Sequence, residues 1–480
     1  MREVINLRTL SKHPEKLTLP LQLPVHIHTY LDTHWPEHLE RTRQFLRQPS
    51  ISAQNVGLLE TATLLRGWLE ERGATVQYFG NPQRPILYAE WNVGAPKTVL
   101  VYGMYDVQPV DGQAWTTPPF AADIWDHPEG GESLVARGAC NSKGPLMAFL
   151  HVIEAFQKTG GLPVNIKWTI EGEEEIGSLE LPTFYKTHKD LLKADTAFEP
   201  FWSQDAPDSP PHIILGTKGV VGLEFVSRAG AWGGPREVLH SSLGVWVANP
   251  AWRLTQALNT LVDEHQALTV DGIPPHGGMS ASDERILREQ AERFDPGRLL
   301  AHYRTARFKR DASPYELLRD LNFAPVLNIN GLNSGYLGEG SHTIIPTAAR
   351  ALCDLRLAPG MSVEAALQAV KDHLARRGFG DIEVTMDSGY PAARTPFESA
   401  PVQAMIAAYR ALGYEPTFQP VEPSATPYFL YTEVLGMPFV WGGLGTAGGS
   451  HGPNEWCSVR GLRDLAKSSA TFLVAFANHV

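Results

Sequence analysis

The fold of this chain is decided at residues 98–109, which read TVLVYGMYDVQP. Thr98 to Tyr102 is a β-branched and apolar run typical of a buried strand, and Asp106 follows it after a short turn. A second run of this kind, Ile166 to Ile170, precedes the acidic sequence EGEEEIGS at residues 171–178. Each strand therefore ends at a turn that carries carboxylates, as expected for a site at the edge of an open α/β sheet.

The segment between these two strands is predicted to be a crossover helix. Pro145 stands near its start and Gly160 lies just past its end, which is the usual asymmetry of helix termini. Apolar residues recur at helical spacing between them: Leu146, Phe149, Leu150, Ile153 and Phe156. Alternation of strands and helices over the first two hundred residues indicates an α/β sheet.

A different pattern covers residues 219–388, where alternating strands and amphipathic helices predict a smaller α+β domain. This segment includes a charged and mostly helical excursion at residues 282–320. The chain then returns to α/β character, with a predicted strand at residues 438–441 and a closing helix that has one apolar face. We therefore predict one larger domain, formed by residues 1–218 and 389–480, into which the smaller domain is inserted.

Composition narrows the class of protein. A chain of 480 residues exceeds the size at which a single hydrophobic core stops growing, so more than one domain is expected. Hydrophobic residues make up 43% and charged residues 19%, as in ordinary globular proteins. Forty-one basic against 52 acidic residues give a net charge of −11 without a long basic run, which disfavours nucleic acid and anionic membranes as partners.

The cysteines and the N-terminal sequence predict a cytoplasmic location. Cys140, Cys353 and Cys457 lie far apart without CxxC spacing, which fits reduced thiols better than a disulfide framework. Residues 1–16, MREVINLRTLSKHPEK, interrupt their apolar residues with charges and lack the apolar core of a secretion signal. No stretch approaches the roughly 20 apolar residues that a membrane helix requires.

Polar side chains at the predicted strand ends are expected to converge on one crevice: Asp106, Asn141, Glu174, Glu175, Glu199 and His451. Holding the adjacent Glu174 and Glu175 close together in a cleft is costly unless a cation or a shared proton offsets their repulsion. One carboxylate can bind a metal while its neighbour takes a proton from a metal-bound water. The pattern therefore predicts a metal-dependent hydrolytic site.

Three runs in this chain resemble motifs of the zinc aminopeptidase-like metallopeptidases, the family of carnosinase, carboxypeptidase G and succinyl-diaminopimelate desuccinylase. They are residues 138–144, 174–178 and 451–455, and the resemblance extends over nearly the whole chain. It implies a zinc-peptidase-like mixed sheet flanked by helices, with an inserted α+β domain that serves as lid and dimerisation domain. It also implies a homodimer that cleaves amide bonds of short peptides or N-acylated amino acids, using zinc, manganese or cobalt.

The inserted domain resembles the dipeptidase branch of that family. The sequence Leu239-His240-Ser241-Ser242 is similar to the motif whose histidine reaches across a dimer into the partner's active site. The match continues through further runs: residues 249–254, 331–336 and 343–346. The resemblance implies that His240 stabilises the oxyanion, that Thr343 and Arg356 hold the carboxylate end of the substrate, and that Asn333 belongs to the substrate-binding set.

The chain departs from the family at its metal ligands. By resemblance, the ligand positions correspond to Met104, Asn141, Glu175, Glu199 and His451. The neutral amide of Asn141 replaces a bridging carboxylate and cannot share negative charge between two cations. The thioether of Met104 replaces a histidine and is too soft a ligand for zinc, manganese or cobalt in an oxygen-rich pocket. We therefore predict at most one tightly bound divalent metal, held by Glu175 and His451 and completed by Asn141 or water, or none.

Other positions follow from the same comparison. Glu174 is expected to be the general base. Asp106 would orient the missing histidine in the family, so here we expect it to be free to move inward as a ligand. Glu199 follows Asp195 by four residues, one fewer than in the family pattern. Residues 423–427 replace a glycine-rich turn that grips the substrate, and Pro423 has no amide hydrogen to offer.

Simpler interpretations stand beside these. Methionine fills irregular gaps in cores, which is the plain account of Met104. Cys140 lies beside Asn141 and could be a nucleophile, but a small buried cysteine is the more ordinary reading. Two functions of different classes therefore remain open: a hydrolase with a degraded metal centre, and a catalytically silent relative that binds peptides or proteins.

Overall fold

The computed structural model describes residues 21–479. Residues 1–16, on which the absence of a secretion signal was argued, lie outside this range. No helix within the described range is long and apolar enough to cross a membrane.

Helices account for much of the larger domain and flank the sheets of both domains. They are α1 (Val25–Thr33), α2 (Trp35–Arg47), α3 (Leu58–Glu71), α4 (Lys143–Thr159), α5 (Leu181–Thr187), α6 (Lys189–Leu192), α7 (Pro250–Asn259), α8 (Ala281–Ala291), α9 (Pro296–His302), α10 (Pro314–Phe323), α11 (Val363–Arg376), α12 (Ala400–Ala411) and α13 (Val459–Asn478).

The strands form two six-stranded sheets and smaller ones. They are β1 (Thr75–Phe79), β2 (Ile86–Trp91), β3 (Thr98–Met104), β4 (Asp123–His127), β5 (Gly131–Val135), β6 (Asn165–Glu171), β7 (Thr196–Pro200), β8 (His212–Ile214), β9 (Gly216–Arg228), β10 (Leu239–His240), β11 (Val326–Ser334), β12 (Ile344–Ile345), β13 (Ala348–Leu357), β14 (Glu383–Tyr390), β15 (Ala393–Arg394), β16 (Thr417–Gln419), β17 (Glu422–Ala425), β18 (Phe439–Gly442), β19 (Ala447–Gly448) and β20 (Trp456–Ser458).

The sheet of the larger domain has the order β1-β2-β6-β3-β7-β18. Strand β3 is parallel to β6 and β7, and β18 is parallel to β7, whereas β1 and β2 pair antiparallel at one edge. The predicted α/β fold with a mixed sheet is therefore confirmed. Met104 pairs with Glu171 at the ends of β3 and β6, so the turns that follow these two strands leave the sheet side by side.

The inserted segment has its own sheet, in which the strands β11-β13-β9-β14 pair antiparallel, while β15 pairs with β9 antiparallel and β17 pairs with β9 parallel. Buried residues of β9, β13, α7 and α11 form a core separate from that of the larger domain. Residues 219 and 388, the predicted limits of this domain, fall inside β9 and β14. The first residues of β9 also pair with β15 and β17.

The helical segment at residues 282–320 was predicted to belong to the smaller domain, but parts of it pack against the larger domain. Ile286 of α8 belongs to the core of the larger domain. Its neighbour Leu287 joins Leu318 and Phe323 of α10 around Val421, which precedes β17. The helices α8 and α10 therefore connect the inserted segment to the second part of the larger domain.

Lys218 forms a buried hydrogen bond at this junction. Its ammonium is buried and donates a hydrogen bond of 2.6 Å to the carbonyl of Ala324, at the C-terminal end of α10. A cation is favourable at the negative end of a helix dipole. Burial nevertheless lowers the pKa of Lys218 to about 8, an effect that the charge of Asp320 opposes and that of Arg356 reinforces.

We expect Lys218 to make the stability of this protein depend on pH. A base whose pKa is lowered from 10.5 to about 8 by folding binds fewer protons in the folded state, so the free energy of unfolding rises as the pH increases between these values. Lys218→Met should reduce that rise by about 1.5 kcal/mol between pH 8 and 9.5, measured by urea unfolding. Lys371→Met, at an exposed position of α11, should leave the rise unchanged. Equal pH dependence in both variants would contradict this.

Candidate active site

Asp106 fixes the acidic turn after β6. Its fully buried carboxylate accepts the backbone N–H of Glu174 through Oδ1 at 3.3 Å and that of Glu175 through Oδ2 at 3.0 Å. Burial raises the pKa of Asp106 to about 6, against hydrogen bonds from Ser52 and from these amides. Both oxygens of Asp106 are engaged by the backbone that carries the acidic pair, an arrangement that differs from the predicted inward movement of Asp106 as a ligand.

Glu455 fixes the opposite loop. Its carboxylate, 1% exposed, accepts backbone N–H groups of Gly138, Cys140 and Asn141 at 3.0, 3.0 and 2.8 Å. Arg137 donates to the same carboxylate at 2.7 Å, and its second nitrogen reaches the carbonyl of His451 at 3.1 Å. Burial raises the pKa of Glu455 even though these donors oppose the shift. Glu455 therefore ties the loop of Asn141 to the loop of His451.

These two anchored loops bring Asn141, Glu175 and His451 together. The amide nitrogen of Asn141 donates to Glu175 Oε1 at 2.9 Å and lies 3.2 Å from His451 Nε2. His451 Nε2 lies 3.1 Å from Glu175 Oε2, which also accepts the side-chain amide of Gln108 at 2.9 Å. If the Asn141 amide is rotated by half a turn, its oxygen faces the same point.

The residues expected at a second metal position have other partners. Glu199 Oε2 accepts a hydrogen bond of 2.6 Å from the hydroxyl of Tyr428. Burial raises the pKa of Glu199 to about 7, which that hydrogen bond opposes. Met104, only 3% exposed, lines a void of about 10 Å³ with Leu146 and Trp168, a space of about one water molecule.

The side chains gathered at this point are of the kinds that bind a divalent ion, once the amide of Asn141 is rotated so that its oxygen faces the point. An imidazole nitrogen, a carboxylate and a side-chain carbonyl oxygen are ordinary ligands of zinc, and His451, Glu175 and Asn141 supply them at one point. Within residues 21–479, no group of three or more His, Cys, Asp or Glu side chains is arranged to hold a metal. A second ion would have the thioether of Met104 and a carboxylate already bonded to Tyr428, which suits a hard cation poorly.

Glu174 stands apart from its neighbours. Its carboxylate makes no side-chain hydrogen bond to any residue of the described range, although it lines the cavity next to Asn141. Burial, together with the charges of Glu175 and Asp106, raises the pKa of Glu174 to about 8. A carboxylate whose pKa lies near neutrality is suited to accept and return a proton, which is what a general base does.

The cavity beside these residues has a volume of about 420 Å³. Its lining includes the polar side chains of Asn141, Glu174 and Glu199, and much of the remainder is aromatic and aliphatic: Tyr102, Leu181, Phe201, Ile214, Tyr428, Leu430, Tyr431 and Trp441. Sequence reasoning missed Tyr428 and Trp441 as cavity residues, and it missed Glu422, which lines the same cavity. Their positions directly after the unusual turn at residues 423–427 and at the end of a predicted strand were the available signals.

The predicted lid residues lie elsewhere in the chain. His240 Nε2 is 3.4 Å from the hydroxyl of Thr343, beside the short pairing of β10 with β12. Asn333 lines a separate cavity of about 370 Å³ on the lid, and Arg356 pairs with Asp354 at 2.9 Å. None of these four predicted residues lines the cavity that contains Glu174.

The fold and this cluster define a metallopeptidase scaffold. The sequence pattern of Peptidase family M20/M25/M40 matches residues 100–475, and the chain belongs to that family. The resemblance to zinc aminopeptidase-like metallopeptidases is thereby confirmed.

Named relatives support the same class. Human Beta-Ala-His dipeptidase is 29% identical over 375 residues, which is 72% of this chain and 70% of the relative. The Cys-Gly metallodipeptidase DUG1 of Saccharomyces cerevisiae is 32% identical over 286 residues, 58% of this chain and 56% of the relative. The M20 family metallo-carboxypeptidase Sso-CP2 of Sulfolobus solfataricus superposes with a TM-score of 0.80 at 32% identity, covering 92% of this chain and 99% of the other.

One relative in fold has a known metal count. The Bacillus subtilis YXEP protein, a dinuclear metal-binding M20 peptidase, shares the fold with a TM-score of 0.53 at 16% identity.

Removing the charge of Glu455 should destabilise the protein. Glu455→Gln leaves Arg137, itself 1% exposed, without its counter-charge, which costs about 3 to 5 kcal/mol when a buried ion pair is broken from one side. Urea unfolding measures this loss. Asp208→Asn removes one partner of the exposed pair between Arg460 and Asp208 and should cost less than about 1 kcal/mol. Equal losses for the two variants would contradict the role given to Glu455.

Proposed function

We propose that this chain is a dipeptidase that hydrolyses the amide bond of short peptides or N-acylated amino acids with one tightly bound divalent ion. The observation that carries the proposal is the convergence of His451, Glu175 and Asn141 beside the unpaired carboxylate of Glu174. Zinc is the expected ion, with manganese or cobalt as alternatives, because nitrogen and oxygen donors predominate. The Beta-Ala-His and Cys-Gly dipeptidases among the relatives support short peptides as substrates.

Proton transfer, loop positioning and metal binding are assigned to different residues of the chain. Glu174 takes a proton from the attacking water and later returns it to the departing amine. Asp106 and Glu455 are positioning residues, because they hold the loops of the acidic pair and of Asn141 through backbone amides. When bound by Glu175, His451 and Asn141, the ion supplies Lewis acidity and lowers the pKa of its water.

In the proposed dimer, the predicted lid residues of one chain contribute to the active site of the other chain. His240, Thr343, Asn333 and Arg356 do not line the Glu174 cavity of their own chain, which supports a homodimer in which one lid completes the other site. Val245 and Trp246 expose 81% and 84% of their surface next to His240, and such apolar exposure favours an interface. In such a dimer His240 would stabilise the oxyanion. A monomer in sedimentation velocity at micromolar concentration would rule this arrangement out.

The location proposed for the enzyme is the cytoplasm. Cys140, Cys353 and Cys457 are all buried and free, which supports a reducing compartment. Fractionation of source cells tests this, and recovery of the protein outside the cytoplasm would refute it.

A silent scaffold that binds peptides or partner proteins is the second candidate. The hydroxyl of Tyr428 donates a hydrogen bond to Glu199, which the family resemblance places among the metal ligands. Met104 stands where that resemblance expects a histidine ligand. These two residues favour a protein that has lost catalytic activity. The relatives named for dipeptidase activity favour the hydrolase instead.

We expect purified protein loaded with zinc, manganese or cobalt to hold about one ion per chain and to cleave members of a dipeptide panel. Glu174→Gln should lower kcat by a factor of about 100 or more while the metal content stays the same, because only the proton acceptor is lost. Elemental analysis and steady-state kinetics measure these quantities. Glu433→Gln, at an exposed position, is the control and should leave both unchanged. Two ions per chain would refute the charge argument, and absence of turnover would favour the scaffold.

Restoring the family ligands should restore the second ion. The double variant Met104→His and Asn141→Asp adds an imidazole and a bridging carboxylate, so bound metal should increase from about one to about two ions per chain. Isothermal titration with zinc measures the stoichiometry. If the parent is inactive and the variant gains turnover, catalysis has lapsed in the parent. If the stoichiometry does not change, the replaced ligands are not what limits metal binding.

A further inference from the structure

The two anchored loops of the site both contact a third segment, residues 48–51, which follows the C-terminal end of α2. Lys143, two residues after Asn141, makes the first contact. Its ammonium donates hydrogen bonds to the carbonyls of Gln48 at 2.6 Å and Phe45 at 3.3 Å, and lies 4.7 Å from the centre of the Phe45 ring. Lys143 is completely buried, so its ammonium depends on these carbonyls at the negative end of a helix dipole.

Ser50 makes the second contact, on both sides of Asp106. Its hydroxyl donates to the carbonyl of Tyr105 at 2.6 Å, and its own carbonyl accepts the N–H of Val107 at 2.8 Å. Ile51 continues this contact by pairing in parallel with Val107. Ser50 is fully buried. Because Asp106 lies between the two residues that Ser50 bonds, Ser50 fixes the backbone from which the Asp106 carboxylate reaches the acidic turn.

The loop of Asn141 is packed closely against these residues. A Cβ atom at Gly138 would lie 2.8 Å from Cγ1 of Val107 and 3.3 Å from Cδ of Lys143, so no side chain fits there. The φ angle of Gly138 is +88°, in the region that favours glycine. In such a close-packed interior, a shift of one segment displaces its neighbours.

We propose that Lys143 and Ser50 are positioning residues of the metal site, which act through residues 48–51 to hold the loop of Asn141 in register with the acidic turn of Glu175. This connection adds to the direct hydrogen bond between the side chains of Asn141 and Glu175. The inference rests on the proposed function for its purpose, since it concerns the ligands of the proposed ion. The connection itself is measurable without metal and without turnover.

The chain offers a matched control for each residue. The ammonium of Lys97 also donates to a carbonyl in the last turn of a helix, that of Phe476 in α13 at 2.9 Å, and lies 4.8 Å from the Phe476 ring. Ser468 is fully buried like Ser50, and its hydroxyl makes two hydrogen bonds with backbone groups, at 2.9 and 3.0 Å. Lys97 and Ser468 therefore have the chemistry of Lys143 and Ser50 without their contacts to the site loops.

Hydrogen–deuterium exchange of the full-length protein without added metal tests the connection, with mass spectrometry of a peptide that covers residues 171–178. Lys143→Met and Ser50→Ala should each increase its exchange rate about tenfold or more relative to a peptide from α12, because the acidic turn opens locally. Lys97→Met and Ser468→Ala should change both peptides alike. Thermal melting verifies folding, and Ser50→Ala decides the question if Lys143→Met does not fold. An acidic turn that exchanges no faster than α12 in Ser50→Ala would overturn the proposal.

Zinc affinity shows whether the connection serves the metal site. Competition with a chromophoric chelator should give a Kd for zinc that is about tenfold higher or more in Lys143→Met and in Ser50→Ala, as when groups that orient metal ligands are removed. Both control variants should keep the wild-type Kd. If the two residues act through one segment, the double variant should bind zinc no more weakly than the weaker single variant. An unchanged Kd in both single variants, or two effects that multiply in the double variant, would overturn the proposal.

The outcomes separate this inference from the proposed function. Faster exchange and weaker zinc binding in the variants of a protein that cleaves no dipeptide would leave the positioning role standing and refute the dipeptidase. Cleavage of dipeptides by a protein whose variants keep the wild-type zinc affinity would do the reverse. A wild-type protein that binds no zinc would refute the metal-dependent activity and the positioning role together, while the exchange rates would still decide whether residues 48–51 connect the two loops.

Discussion

The carboxylate of Glu455 is the contact on which the candidate site depends. It accepts hydrogen bonds from three backbone amides of one loop, those of Gly138, Cys140 and Asn141, and from the guanidinium of Arg137. Glu455 is almost completely buried. Because Glu455 lies four residues after His451, this single group fixes the distance between an imidazole and an amide that are more than three hundred residues apart in sequence. A buried charge without these donors would be too costly to retain, so the loop conformation and the charge sustain each other.

Three of the four acidic side chains discussed here, those of Asp106, Glu175 and Glu199, accept hydrogen bonds from neighbouring groups. Asp106 has two backbone amides, Glu199 has the Tyr428 hydroxyl, and Glu175 has the side chains of Gln108 and Asn141. Hydrogen bonds of this kind lower the cost of holding negative charge in a poorly solvated place. Glu174 is the exception, since its carboxylate accepts no hydrogen bond from residues 21–479, and a buried carboxylate of this kind is a candidate for proton transfer.

The sequence predicted this site unevenly, for physical reasons. Strands β3 and β6 and helix α4 were predictable because apolar runs and helical spacing are local properties. The partners of Asp106 were not, because backbone amides are invisible in a list of side chains. Likewise, the donor to Glu199 comes from Tyr428, 229 positions away, and no spacing rule links the two. The excursion was assigned to one domain because its charge pattern is local, whereas Ile286 and Leu287 face different cores.

These features together connect the lost ligands with the character of the cavity. Replacing a histidine by Met104 and a bridging carboxylate by Asn141 removes donors for a hard ion, and the same region of the protein presents Phe201, Trp441 and Tyr428 to the cavity. Aromatic rings do not coordinate zinc. They line the cavity with apolar surface, so the binding of a ligand there depends on packing against these rings as well as on the polar groups of Asn141 and Glu174.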